Sequence, residues 1–101
     1  MVEYNRETGL FEHEIYSTVN PRESRIIRER LKEAKIPFKV YETDVLLHNG
    51  RGFRDTICVV AENIKELEKY IEEAKKIVEE FLREEEEKEK LAEELNKKLS
   101  S

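Results

Sequence analysis

The chain has 101 residues, 38% of them hydrophobic and 43% charged, with a formal net charge of −5. That length suits one domain with a modest core and excludes two. No apolar run approaches the length of a membrane-crossing helix and no leader-like segment stands at the start, so a soluble, cytoplasmic protein without membrane contact is expected.

Residues 1–9 are polar and read as a loosely held arm. From 10 to 19, Phe11, His13, Ile15, Ser17 and Val19 alternate with Glu12, Glu14, Tyr16 and Thr18, the period of a strand with two unlike faces. Asn20-Pro21-Arg22-Glu23 is a helix start: Asn caps, Pro suits the first helical position and Glu at the third can reach back to the cap. This helix runs to about Lys35, before Pro37 ends it. Ile27, Leu31 and Ala34 form its inner face, and Arg25, Arg28, Lys32 and Lys35 form a basic outer stripe.

Residues 38–47 and 56–61 are rich in Val, Ile, Leu, Tyr and Phe. They flank a segment from His48 to Asp55 that reads as a hairpin tip too long for a two-residue turn, with Asn49-Gly50 supplying positive φ and Gly52 a second flexible joint. The run Ile57-Cys58-Val59-Val60 lacks alternation, which places its strand centrally, covered on both sides. Asn63-Ile64-Lys65-Glu66 repeats the cap formula and opens a helix that continues to the end of the chain. Steps of three and four through Ile64, Leu67, Ile71, Ala74, Val78, Phe81, Glu85, Lys88, Ala92, Leu95 and Leu99 trace a heptad seam interrupted by a charged waist.

Charge is unevenly placed. Up to Val60, ten Lys and Arg balance ten Asp and Glu, whereas from Ala61 onward nine face fourteen, so the whole excess of acid lies in the last helix. Glutamine is absent and Glu, Lys and Arg dominate, a bias that fits a protein from a hot environment. The single Cys58 has no internal disulfide partner, consistent with a reducing compartment.

A catalytic constellation is not legible, and no cofactor is implied. His13 and His48 share no motif with Cys58, whose place on an apolar strand reads as a buried structural thiol. Glu12-His13-Glu14 has metal-ligand residue types, but neighbouring strand residues face opposite ways. Gly50-Arg51-Gly52 lacks the spacing of a phosphate loop. With 22 glutamates, close carboxylate pairs are unavoidable and carry no catalytic information by themselves.

Two surfaces remain as candidates for contact. The first is the end of the last helix, where Leu91, Ala92, Leu95 and Leu99, with Phe81 upstream, would meet a second copy or a partner protein. The second is the hairpin tip, where Phe53 between Arg51 and Arg54 supplies an aromatic and two guanidinium groups. That kit stacks a base while holding phosphate, and it serves equally as a protein anchor. The stripe of Arg25, Arg28, Lys32 and Lys35 would extend it if both lie on one side.

Ile15-Tyr16-Ser17-Thr18 before Asn20-Pro21-Arg22-Glu23, then Leu31-Lys32-Glu33-Ala34-Lys35-Ile36-Pro37 and Val59-Val60-Ala61-Glu62, resembles small βαββα prokaryotic signal-transducing domains of PII-like layout. Those domains have Gly where Lys35 stands. The same order, with Ala61-Glu62-Asn63-Ile64 opening the last helix, is similar to the small dimerising subunit of the KEOPS tRNA-modification complex. Both resemblances imply a non-catalytic protein that pairs through its helices, and the second implies a subunit of a tRNA-modification assembly.

The sequence therefore predicts an α+β domain over residues 1–82 in the order β-α-β-β-α, with a three-stranded antiparallel sheet and helices on one face. Residues 83–101 form a charged extension of the last helix. The expected role is a dimeric adaptor or regulatory module acting through that helix. A small nucleic-acid-binding protein using the tip and the basic first helix is the alternative.

Overall fold

A computed structural model describes residues 2–99. In chain order the elements are β1 (Val2–Asn5), β2 (Leu10–Thr18), α1 (Pro21–Glu33), β3 (Phe38–Leu47), β4 (Gly50–Ala61) and α2 (Ile64–Leu99). The strands form one antiparallel sheet of order β1-β2-β4-β3, and α1 and α2 pack on a single face of it. The α+β class, the helices on one face and the long terminal helix agree with the sequence reading. The strand number does not, because the described residues form four strands in the order β-β-α-β-β-α.

The extra strand is β1, within the segment expected to be an arm. Asn5 makes it possible by organising the turn into β2. Its carbonyl accepts from Gly9 N at 2.8 Å, and its side-chain Oδ1 accepts from Glu7 N at 3.0 Å. Gly9 has φ of 72°, a conformation glycine adopts without strain. Tyr4 then packs at a tilt against its cross-strand partner Phe11, with ring centroids 4.9 Å apart.

Both helix caps form where the sequence places them. Asn20 Oδ1 accepts from Arg22 N at 2.9 Å, and Asn63 Oδ1 from Glu66 N at 2.8 Å. Glu23 does not reach back to its cap; its Oε1 accepts instead from Thr18 Oγ1 at 2.6 Å and Tyr16 Oη at 3.0 Å, tying α1 to the end of β2. At its other end α1 stops at Glu33. Lys35 lies in the left-handed region at φ 59°, while Lys35 N donates to Lys32 O and Ile36 N to Leu31 O, the two bonds of a Schellman cap.

The core is Ile27, Leu31, Ile36, Ile57, Val59, Ala61, Leu67, Ala74, Val78 and Phe81, between the helices and the faces of β2 and β4. A bulge at Ile15 changes the parity of β2: Glu14 pairs with Cys58, and Tyr16 already pairs with Ile57. One residue is thereby inserted and every later side chain changes face. Tyr16 and Thr18, which the alternation groups with Glu12 and Glu14, turn to the helix side; Ser17, grouped with Phe11 and His13, turns to the open face.

The hairpin tip also differs from expectation. Strands β3 and β4 continue in register to the pair Leu47 and Gly50, leaving only His48 and Asn49 in the turn. Gly52 is a strand residue beneath Leu47, where a Cβ would come within 2.3 Å of Leu47 Cδ1. The glycine therefore permits close packing and does not act as a loose joint.

Candidate protein-interaction site

α2 serves two purposes along its 36 residues. As far as Phe81 it covers the sheet. Two ion pairs then fasten it to α1: Arg22 with Glu85 at 2.9 Å, and Arg30 with Glu84 at 2.5 Å. These arginines are eight positions apart, about 12 Å along α1, so α2 is held from both sides as it passes. Each guanidinium bonds its carboxylate, holding Glu84 and Glu85 below the usual glutamate pKa. The charged waist of the seam is thus partly a docking point for α1.

Beyond Glu85 the helix continues for fourteen residues, about 21 Å, and the molecule reaches 59 Å along its longest axis. Leu91, Leu95 and Leu99 are 66%, 61% and 77% exposed, with Ala92 exposed between them. Their spacing of four sets them along one side of the helix. Phe81, assigned to this surface from the heptad, is instead core: it is fully buried, edge-on to Tyr16 at 6.4 Å, with the Arg30 guanidinium 5.8 Å above its ring. On either side of its charged waist the seam differs: its apolar positions are covered from Leu67 to Phe81 and bare at Ala92, Leu95 and Leu99.

The second predicted cluster is not brought together. Phe53 and Arg54 are strand neighbours and face opposite ways. Phe53 is 57% exposed on the helix side, with Arg51 two positions away on the same side, whereas Arg54 crosses the open face and donates to Ser17 Oγ at 3.3 Å. Between the tip and α1 on the helix side lie Glu42 opposite Asp55, and Asp44 opposite Phe53. These carboxylates interrupt any phosphate-tracking path from the tip to the basic stripe.

The stripe itself forms one wall of a groove. Arg25, Arg28 and Lys32, with Glu29, line a hollow of about 290 Å³ whose floor is Phe38 and Val40 of β3. Lys35 lies past the helix end, exposed. Nothing at sequence level marks this floor, because β3 could not be placed at the sheet edge without the strand order. The run Val45-Leu46-Leu47 carries a partial signal, since consecutive strand residues cannot all face one core, and Leu46 is 88% exposed.

On the opposite face of the sheet a wider groove, about 820 Å³, is lined by Glu3, Asn5, Glu12, Glu14, Tyr41 and Cys58 among others. Glu12 is only 8% exposed and is doubly hydrogen-bonded: Tyr41 Oη donates to its Oε1 at 2.5 Å and Asn5 Nδ2 to its Oε2 at 3.1 Å. Cys58 lies beneath, its thiol pKa pushed up to about 11, first by burial and then by the charges of Glu12, Glu14 and Glu3. A thiol held in that state is a poor nucleophile. His13 faces the helices from β2, and His48 sits in the hairpin turn, so neither histidine shares a face with Cys58.

No family profile, curated protein or solved structure matches this chain. No helix among the described residues is long and apolar enough to cross a membrane.

Proposed function

We propose that this protein is a non-catalytic adaptor that acts by protein contact through the projecting end of α2, with a second copy of the chain as its partner there. One observation carries the reading: α2 is anchored to the body through Glu85, and the leucine stripe beyond it is bare. Helices this amphipathic owe most of their stability to an apolar face that packs against something. Both families that the sequence resembles also work through helix-mediated pairing.

Charge favours an antiparallel sense. A pairing centred on Leu95 sets Leu91 of one copy against Leu99 of the other at both ends, and brings Lys98, which flanks the stripe, level with Ala92. A parallel pairing sets like charges level throughout. The test is the solution mass of the full chain carrying Leu46→Lys, before and after Leu91→Lys/Leu95→Lys. The expected result is a dimer that becomes a monomer, with helix content by circular dichroism retained. An unchanged mass overturns the reading.

A further inference from the structure

The strand β3 is a sheet edge ten residues long, and it lacks most of the devices that keep such edges from pairing. No proline interrupts it, its register against β4 runs without a bulge from Phe38 to Leu47, and neither helix covers its outer side. Its helix-side face has two unlike halves. At one end Phe38 and Val40 floor the groove walled by Arg25, Arg28 and Lys32. At the other end Glu42, Asp44 and Leu46 stand exposed in alternate positions, with Leu46 the most exposed large hydrophobic residue described.

We propose that two copies of this chain pair along β3, antiparallel about a two-fold axis, with Leu46 and Asp44 of each copy entering the α1/β3 groove of the other. The complementarity is internal to the strand: the acidic and apolar half of one copy meets the basic-walled, apolar-floored half of its twin. A two-fold contact satisfies both halves at once, as self-complementary interfaces require. Residues directly opposed across an antiparallel pair share a face, so the register must keep even numbers against even. With Glu42 on the axis, Asp44 meets Val40 among the arginines and Leu46 meets Phe38 beside the Lys32 stem. On the open face Tyr41 meets Thr43 and Lys39 meets Val45. The sheet becomes eight-stranded and the edge backbone groups gain partners. The two Glu42 side chains that meet on the axis are the one unfavourable pair, a feature that makes the register testable.

This contact is independent of the α2 arm, so its test uses the full chain with Leu91→Lys/Leu95→Lys to silence the arm. Sedimentation should find that chain dimeric. Adding Leu46→Lys, a change at an exposed position that leaves folding intact, should weaken the dimer about tenfold or more, and Glu42→Gln should tighten it. With Cys58→Ser, a Glu42→Cys chain should form an interchain disulfide under oxidising conditions, whereas Lys39→Cys should not. A monomeric arm-silenced chain at millimolar concentration overturns the proposal, as does a dimer indifferent to Leu46→Lys or a Glu42→Cys chain that does not cross-link. A groove that serves phosphate instead would bind a single-stranded oligonucleotide in a salt-sensitive way. That binding would be lost in Arg25→Ala/Lys32→Ala while the mass ignored Leu46→Lys, and this result also overturns the pairing. The arm reading can fail while this one holds, because each is measured with the other contact removed.

Discussion

Tyr41 on β3 donates its hydroxyl to Glu12 on β2 at 2.5 Å, reaching across the strand that separates them. The bridge passes over β4 on the face that has no helices, and it accounts for Cys58 and Val60 being buried there. A sheet with helices on one side only would leave that face wet; here a phenol, a carboxylate and the Asn5 amide form the lid. Glu12 is kept in this position because its two oxygens have separate donors, which is the condition for burying a carboxylate without large loss.

Removing the bridge should therefore be felt in stability and in thiol access together. Tyr41→Phe keeps the ring and deletes the donor, leaving a nearly buried carboxylate oxygen without its partner, at about 1–3 kcal/mol. Urea unfolding should show that loss, and Cys58 should react faster with a thiol reagent under native conditions. Unaltered Cys58 labelling in Tyr41→Phe would mean that the backbone, and not the bridge, shields the sulfur.

Stability should fall at alkaline pH, and the sign follows from three groups. Tyr16 is raised to about 12, chiefly by burial and then by its bond to Glu23 and that residue's charge. Tyr41 is raised by its bond to Glu12, and Cys58 is raised from 9.0 to about 11 by burial. Each folded-state value lies above the unfolded one, so the contribution is fully present below pH 9 and is lost as pH rises toward 12. Above about pH 9 the unfolded chain releases protons that the folded chain retains. The urea midpoint should drop steadily over that range, and Tyr16→Phe should flatten the drop. A midpoint that held constant to pH 11 would contradict these assignments.

Lys35 supplies a prediction in the stabilising direction. Its left-handed conformation at φ 59° strains a residue with a Cβ by about 1 kcal/mol, and glycine occupies this cap position in most Schellman motifs. Lys35→Gly should raise the stability by about 0.5–1 kcal/mol, the gain being reduced by the greater freedom of glycine in the unfolded chain. Lys35→Val should lower it, because a branched side chain tolerates that region least. Thermal melts of the pair, read against the parent, check both signs.

Much of the fold was legible because its signals are local. The Asn20 and Asn63 caps, the strand at Phe38–Leu47 and the covered face of α2 as far as Phe81 each depend on residues within a few positions of one another. What escaped depends on distant partners. β1 is only Val2–Asn5, too short to show a period, and it exists because the Asn5 side chain holds the turn and Phe11 meets Tyr4. The bulge at Ile15 leaves no mark in the sequence but reverses the faces of Tyr16, Ser17 and Thr18. Of the candidate surfaces, Leu91, Leu95 and Leu99 were readable as a stripe, whereas Phe81 was assigned to it because a heptad does not record where the body ends. The α1/β3 groove needs the strand order, which one sequence did not supply.

The boundary between body and arm can be measured directly. Arg22 and Arg30 hold α2 at Glu85 and Glu84, and Arg30 also covers Phe81. With Leu91→Lys/Leu95→Lys in place to remove self-contact, deuterium exchange along α2 should be slow up to about Phe81 and fast beyond residue 88. A charged helix end without tertiary support frays on this scale. Adding Arg22→Ala/Arg30→Ala should move the fast region back by about one turn toward Phe81, leaving the amides near Leu67 and Ala74 protected. High salt should reproduce part of this retreat, since both ion pairs are partly exposed and screened. If exchange beyond residue 88 stays slow in the lysine variants, the arm has a second source of support on its own chain, and a bare leucine stripe no longer describes it.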